Sequence, residues 1–288
     1  MPFGYVPDYQ GISFLKDIYL KIFGYPYSPK RNEAAIVFKL LEPKKEEKIL
    51  DIGCGDGIWY NELRKRGFQV TGIDISNHDL NKLKDRAEKL NLEIDVIEAN
   101  AQAMPFGKSV FDKVYSISTF EHIADDEKAF AEANRILKPN GFFVISVPMK
   151  KVPFLTKLAV RLPEFIKRLF YNKFVIESKT EEDYLRNFDR HYFHYRNYTI
   201  EDINSRLEKS GFTIEKKTYN CRFFGSGIWS LYHTLRIFER EKTPATDYKF
   251  RSEIAFALVA PFFYLFFLID RLFFWTKGET IILKLRKK

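Results

Sequence analysis

Lys48-Ile49-Leu50-Asp51-Ile52-Gly53-Cys54-Gly55-Asp56-Gly57-Ile58 reads as a short apolar strand that runs into a glycine-rich turn and then into a helix. Glycine lets a ligand approach the backbone closely, and the helix that follows offers N–H groups with no partner inside the helix. The spacing is Asp-x-Gly-x-Gly-x-Gly. A dinucleotide fingerprint needs one more glycine at position 58, which is Ile58 here. A second strand, Gln69 to Asp74, ends in a carboxylate placed to accept hydrogen bonds from both hydroxyls of a ribose.

The alternation continues outward from that turn. Helices are expected from Ile58 to Arg66, from Ser76 to about Leu90 with Ser76 and Asp79 as a capping box, and from Asp126 to Leu137. Further strands are expected at Glu93 to Ile97, Val110 to Ile117, Phe142 to Val147 and Phe212 to Tyr219, with a last one at Thr280 to Leu285. A capped helix opens at Thr199 and ends at Gly211. Strands alternating with helices imply an α/β fold with a parallel sheet covered on both faces, whose ligands bind beyond the carboxyl ends of the strands. The chain divides into an N-terminal helical cap (1–47, with helical stretches at 12–23 and 33–41), a core (48–148), a lid insertion (149–198) and a C-terminal part of the core (199–288). That last part carries an apolar helical insertion at about 221–278.

These motifs resemble the class I S-adenosylmethionine (SAM) dependent methyltransferases, closely over 48–148 and more loosely over 199–220 and 279–286. Asp51 to Gly57 matches the motif that wraps the methionine part of SAM, and Asp74 the ribose-binding acid. Asn100-Ala101-Gln102-Ala103-Met104-Pro105-Phe106 resembles the segment that holds adenine, with Asn100 in place of the usual Asp. Asp112 matches the acid that opens the fourth strand, and Arg135-Ile136-Leu137-Lys138-Pro139-Asn140-Gly141 the run before the fifth. The resemblance implies a Rossmann-like doubly wound sheet of seven strands, the last antiparallel, with helical insertions after strands five and six. It implies SAM as cofactor, held by Asp51, Gly53, Gly55, Gly57, Asp74, Ile75, Asn100, Ala101 and Ser118.

Methyl transfer from a sulfonium is an in-line displacement, to which an enzyme contributes mainly alignment and proximity. A general base is optional, set by the acceptor's acidity. Ser118-Thr119-Phe120-Glu121-His122 follows the fourth strand and resembles the Glu-x-x-Glu-His segment of quinone-biosynthesis O-methyltransferases, which supplies metal ligands. Its first glutamate is Ser118 here, so no metal is expected. Glu121, His122 and His194 are the catalytic candidates. His191 lies in the same Asp189–Arg196 stretch as His194, before the capped helix, where related enzymes close over substrate.

Charge and hydropathy bear on the acceptor. Residues 1–150 carry 21 Lys+Arg against 22 Asp+Glu, and residues 151–288 carry 26 against 16. The basic half should face something acidic. In the lid, Phe154, Leu155, Leu158, Leu162, Phe165, Ile166 and Leu169 recur at helical spacing opposite Lys157, Arg161, Glu164 and Arg168, with Pro163 at a joint. This reads as a lid whose apolar stripe packs on the domain, or as an in-plane membrane helix. Ile254 to Ile269 is apolar but short of the ~20 residues a bilayer span needs. Cys54 and Cys221 do not make a disulfide scaffold, and no secretory signal is visible at Met1 to Tyr5.

Together these features lead to a methyltransferase acting at oxygen on a small or lipid-linked acceptor, cytoplasmic, with a peripheral place at the inner membrane face in view. The rivals are a nucleic-acid methyltransferase, disfavoured because no Asn/Asp-Pro-Pro-Tyr/Phe segment follows the fourth strand, and a SAM-binding protein at a membrane surface that does not turn SAM over.

Overall fold

The computed structural model describes residues 28–151, 153–171, 173–222, 261–262, 265–266, 268–270, 272 and 276–288. The expected helix at 12–23 and most of the apolar insertion lie outside these residues. Strands β1 (Lys48–Ile52), β2 (Gln69–Asp74), β3 (Val96–Glu98), β4 (Phe111–Ile117), β5 (Leu137–Pro148), β6 (Phe212–Asn220) and β7 (Thr280–Lys287) form one sheet in the order β3-β2-β1-β4-β5-β7-β6. The pairings among β1 to β5 are parallel, and β7 runs antiparallel to both β5 and β6. The order reverses between β1 and β4, the point beyond whose strand ends ligands bind in sheets of this kind.

Neighbouring strand residues point to opposite faces. Leu50, Ile73, Val114, Phe143 and Ile145 face α4 (Asp126–Ile136) and α9 (Ile200–Lys209), which contribute Phe130, Ile136, Ile203 and Leu207. Ile49, Val70, Tyr115, Val144 and Ile282 face the other way. They meet Ala34, Val37, Phe38 and Leu41 of α1 (Ser28–Leu41), Tyr60 and Leu63 of α2 (Ile58–Lys65), and Leu80 and Leu83 of α3 (Asn77–Lys89). Burial on both faces explains why the central strands read as continuous apolar runs.

The cap at Thr199 forms in full, with Thr199 and Asp202 making a capping box, whereas at Ser76 only half of the expected box forms: Ser76 Oγ accepts from Asp79 N. β3 is three residues long and later than expected, an edge strand paired only to β2. β5 starts five residues early, and Asn140 within it takes the left-handed conformation, φ +66°, that Asn tolerates.

Asp126, at the start of α4, is buried and ties three segments together. It accepts from Tyr198 Oη at 2.7 Å and Arg206 Nη1 at 2.5 Å, and it lies 3.2 Å from Arg196 Nη1. Replacing it strands three donors around a buried hole. Asp126→Ala is expected to destabilise the protein by about 3 kcal/mol, read as a fall in Tm on the order of 5–10 °C. A Tm within 2 °C of wild type would show the cluster to be solvated and energetically idle.

The lid comprises α5 (Phe154–Val160), α6 (Glu164–Phe170), α7 (Lys173–Ile176) and α8 (Glu181–Tyr192), and α5 and α6 meet at Pro163. Its small core is Ala159, Val160, Val175, Tyr184 and Phe188. The helical stripe expected to pack inward does not do so: Leu158 is 58%, Phe165 69% and Leu169 67% exposed. Lys167 is buried instead, its ammonium donating to Val160 O at 3.0 Å and Ser178 O at 2.7 Å. Short helices bent at a proline do not keep one continuous face, and four α-helical carbonyl ends need donors. Among the described residues no helix is long and apolar enough to cross a membrane.

Candidate active site

The glycine turn sits at the carboxyl end of β1. Gly53, Gly55 and Gly57 all have positive φ, at +76°, +52° and +79°. Gly53 N and Cys54 N both donate to Ile73 O, which stitches the turn to β2. A Cβ on Gly53 would come within 2.3 Å of the Thr119 side chain, so packing requires glycine there. A Cβ on Gly55 would meet nothing within 4 Å, so the backbone of the turn faces open space at that point.

Asp74 stands at the rim of that space. Its Oδ2 accepts from Gly55 N at 2.8 Å and its Oδ1 from Ser76 N at 2.9 Å, so two backbone groups fix the carboxylate. Burial pushes its carboxyl above the usual range, against the pull of these hydrogen bonds. Asp51 is buried beneath the turn and accepts from Tyr115 Oη at 2.6 Å. Burial pushes its carboxyl up to about 8, opposed by the Tyr115 hydrogen bond and reinforced by the charge of Asp74. A cation seated over the turn would draw both carboxyls toward their ionised forms. Ile75, 70% exposed, presents an apolar surface next to Asp74, suited to a flat ring.

Asn100 and Ala101 follow β3. The Asn100 carbonyl accepts from Gln102 N at 2.9 Å and Gln102 Nε2 at 3.2 Å, so it is engaged with its own loop. That loop connects β3 to β4 without a helix. A clamp holds it: Arg135 donates to Phe106 O and Met104 O, and Glu132 accepts from Met104 N. Asp112 lies at the opposite end of the sheet, accepting from Lys48 N and Lys138 Nζ. Its role is structural.

The catalytic candidates converge at the carboxyl end of β4. Ser118 has φ +50°, an uncommon conformation for a residue with a side chain. The next turn, Phe120–His122, buries Glu121 (2% exposed) and leaves its Oε2 without a hydrogen-bond partner. Burial pushes the Glu121 carboxyl up to about 7; the charges of His194 and Lys30 pull it down and that of Glu33 raises it. His194 comes from far along the chain. α8 ends at Phe193, which takes a left-handed conformation, and Tyr195 N then donates to Glu121 O at 2.8 Å. The His122 and His194 rings lie 4.8 Å apart, and His122 Nδ1 is 3.2 Å from Phe193 O. Desolvation, and secondarily the charge of Lys30, hold the His122 imidazole below its usual range. His191 packs on Tyr192 outside this group.

Ser118 leaves the segment itself with two possible metal ligands, Glu121 and His122, and the fold adds a third, His194. Donor atoms of Glu121, His122 and His194 all lie within 4.8 Å of one another. One carboxylate and two imidazoles, with a buried carboxylate oxygen unpartnered, form a set that fits a borderline divalent ion better than a hard one. Sequence reasoning also missed Glu33. From α1 it places Oε1 2.9 Å from Ser118 Oγ and 2.6 Å from Ser146 Oγ. No local signal marks that meeting, which spans 85 residues of chain.

Comparison with known proteins agrees with this geometry. Residues 50–145 match the family model described as a methyltransferase domain. A ubiquinone biosynthesis O-methyltransferase of Dinoroseobacter shibae is 35% identical over 104 residues, 36% of this chain and 42% of that protein. A sterol 24-C-methyltransferase of Saccharomyces cerevisiae is 30% identical over 138 residues, 47% of this chain and 36% of that one. The chain thus spans less than half the length of either relative. The structure of geranyl diphosphate C-methyltransferase from Streptomyces coelicolor superposes with a TM-score of 0.59 at 13% identity, covering 99% of this chain and 92% of that one. With the seven-stranded sheet, the glycine turn and the paired acids at Asp51 and Asp74, residues 50–145 are a class I SAM-dependent methyltransferase domain.

Proposed function

We propose that the protein is an enzyme that moves the methyl group of SAM to an oxygen atom of a small, largely apolar or lipid-linked acceptor. The observation that carries this reading is Glu121, a buried carboxylate with one unpartnered oxygen, set between His122 and His194 one turn beyond β4. An acceptor hydroxyl loses its proton to Glu121 as its oxygen attacks the methyl carbon. The C–O bond forms, the C–S bond breaks, and the sulfonium leaves as a neutral thioether. Asp51, Gly53, Gly55, Gly57, Asp74, Ile75, Asn100, Ala101 and Ser118 are the residues assigned to SAM. Glu121, His122 and His194 would also hold a divalent ion, which would supply Lewis-acid polarisation of the acceptor oxygen.

Two features favour an apolar acceptor. The lid presents Leu158, Phe165, Leu169 and Phe170 to solvent among Lys157, Arg161 and Arg168, a composition suited to an anionic lipid surface. Two similar proteins are named a ubiquinone biosynthesis O-methyltransferase and a sterol 24-C-methyltransferase, which supports an acceptor of that kind here. The same features support a peripheral place at the cytoplasmic face of a membrane.

SAM carrying a labelled methyl group, incubated with the full chain and a total extract of its source cells, tests the reading. Label in the organic phase, lost with Asp74→Ala, is the expected result. Label confined to the water phase replaces the lipid-linked acceptor with a soluble metabolite. Label that ribonuclease releases moves the assignment to nucleic acid. SAM bound without transfer leaves a binding protein.

A further inference from the structure

α1 begins at the carboxyl ends of β4 and β5, and its first turns carry Lys30 and Glu33 on one face. Lys30 Nζ lies 2.5 Å from Ser118 Oγ and 3.0 Å from Glu33 Oε2. The Glu33 side chain is fully buried, and its Oε1 accepts from both Ser118 and Ser146. A carboxylate and an ammonium from another element thus meet the Ser118 hydroxyl, which stands where the related Glu-x-x-Glu-His motif carries its first glutamate. The Lys30 side chain is 21% exposed. Its field acts on Glu121 and His122, which places it in the same electrostatic space as the candidate catalytic group. Anchoring α1 does not require this ion pair, because Ala34, Val37, Phe38 and Leu41 already bury its apolar face on the sheet.

We propose that Lys30, held by Glu33, is an oxyanion-binding residue of the transfer site. The ligand chemistry is a carboxylate or phenolate oxygen, and two molecules could bring it: SAM, through its amino-acid carboxylate, and the acceptor. Glu33, held by Ser118 and Ser146, is a positioning residue that fixes the ammonium. The inference rests on the methyltransferase reading for the acceptor, but its SAM arm needs no turnover.

Calorimetry on the full chain with S-adenosylhomocysteine and with methylthioadenosine, which lacks the amino-acid carboxylate, separates the sources. If Lys30 holds the SAM carboxylate, Lys30→Met weakens S-adenosylhomocysteine by about tenfold to a hundredfold and leaves methylthioadenosine unchanged. If it holds the acceptor, both affinities stay within twofold, while transfer of labelled methyl to cell extract falls by about tenfold or more. In either case Lys30→Arg restores part of the loss and Glu33→Gln reproduces part of it. Lys30→Met that leaves binding and transfer within twofold of wild type overturns the proposal. So does equal weakening of both nucleosides with a lowered Tm, which would make the pair a structural tie. A wild-type protein that binds S-adenosylhomocysteine yet transfers no label would sink the proposed function and leave the SAM arm standing.

Discussion

Asp74→Ala is expected to weaken SAM binding by about a hundredfold or more, the largest effect on affinity of any single change in the crevice. The carboxylate is fixed before ligand arrives: Gly55 N and Ser76 N hold one oxygen each. A ribose with both hydroxyls directed at it forms two charge-assisted bonds, each worth about 1.5–3 kcal/mol. Alanine removes both, and it leaves the Gly55 N–H without its acceptor, which loosens the turn. Folding should not suffer, because burial already penalises the Asp74 charge in the ligand-free protein. Calorimetric titration with SAM checks the claim. An affinity within fivefold of wild type, in a variant of unchanged Tm, would remove Asp74 from the SAM site.

Glu121→Gln is expected to lower the rate of methyl transfer by about a hundredfold to a thousandfold while SAM affinity stays within twofold. Glutamine keeps the shape and one acceptor but takes no proton. The wild-type rate should rise with pH and level off above about 7, where burial has pushed the Glu121 carboxyl. A base works only in its ionised form, so activity is lost as pH falls through that value. Burial sets that midpoint first, the charges of His194 and Lys30 lower it, and that of Glu33 raises it. Single-turnover transfer from pH 5 to 9 reads the limb, and in Glu121→Gln the limb should vanish. If glutamine retains full activity, Glu121 accepts no proton. If a chelator abolishes wild-type transfer and a borderline divalent ion restores it, the three donors serve a metal and the pH limb reports ligand protonation.

The glycine turn, the strand ends and the carboxylate at Asp74 were legible because each is a local pattern. A glycine with positive φ, a strand period of two and a helix cap are all settled within a few residues of chain. The same holds for the Pro163 break in the lid. The adenine segment was legible as a motif, but the Arg135–Glu132 clamp that holds it was not.

Nothing in the sequence around His191 and His194 separates the two. The left-handed turn at Phe193 carries His194 to Glu121 and leaves His191 on Tyr192. Glu33 looks like one more polar residue on an amphipathic helix, and only folding brings it to Ser118 and Ser146. Asp126 has the look of a first-turn helix acid, yet it is the buried acceptor for Tyr198 and Arg206. The helical stripe in the lid implied a buried face, and the bend at Pro163 left Leu158, Phe165 and Leu169 outside.

By itself, then, the sequence determined the sheet-and-helix alternation and the strand that carries the glycine turn, because backbone conformation and burial period are encoded over short spans. The tertiary structure decided which charges gather at the carboxyl end of β4, which histidine joins Glu121 and where the apolar surface of the insertion after β5 points. Those contacts join side chains dozens of residues apart, and their energies depend on burial that no local pattern records.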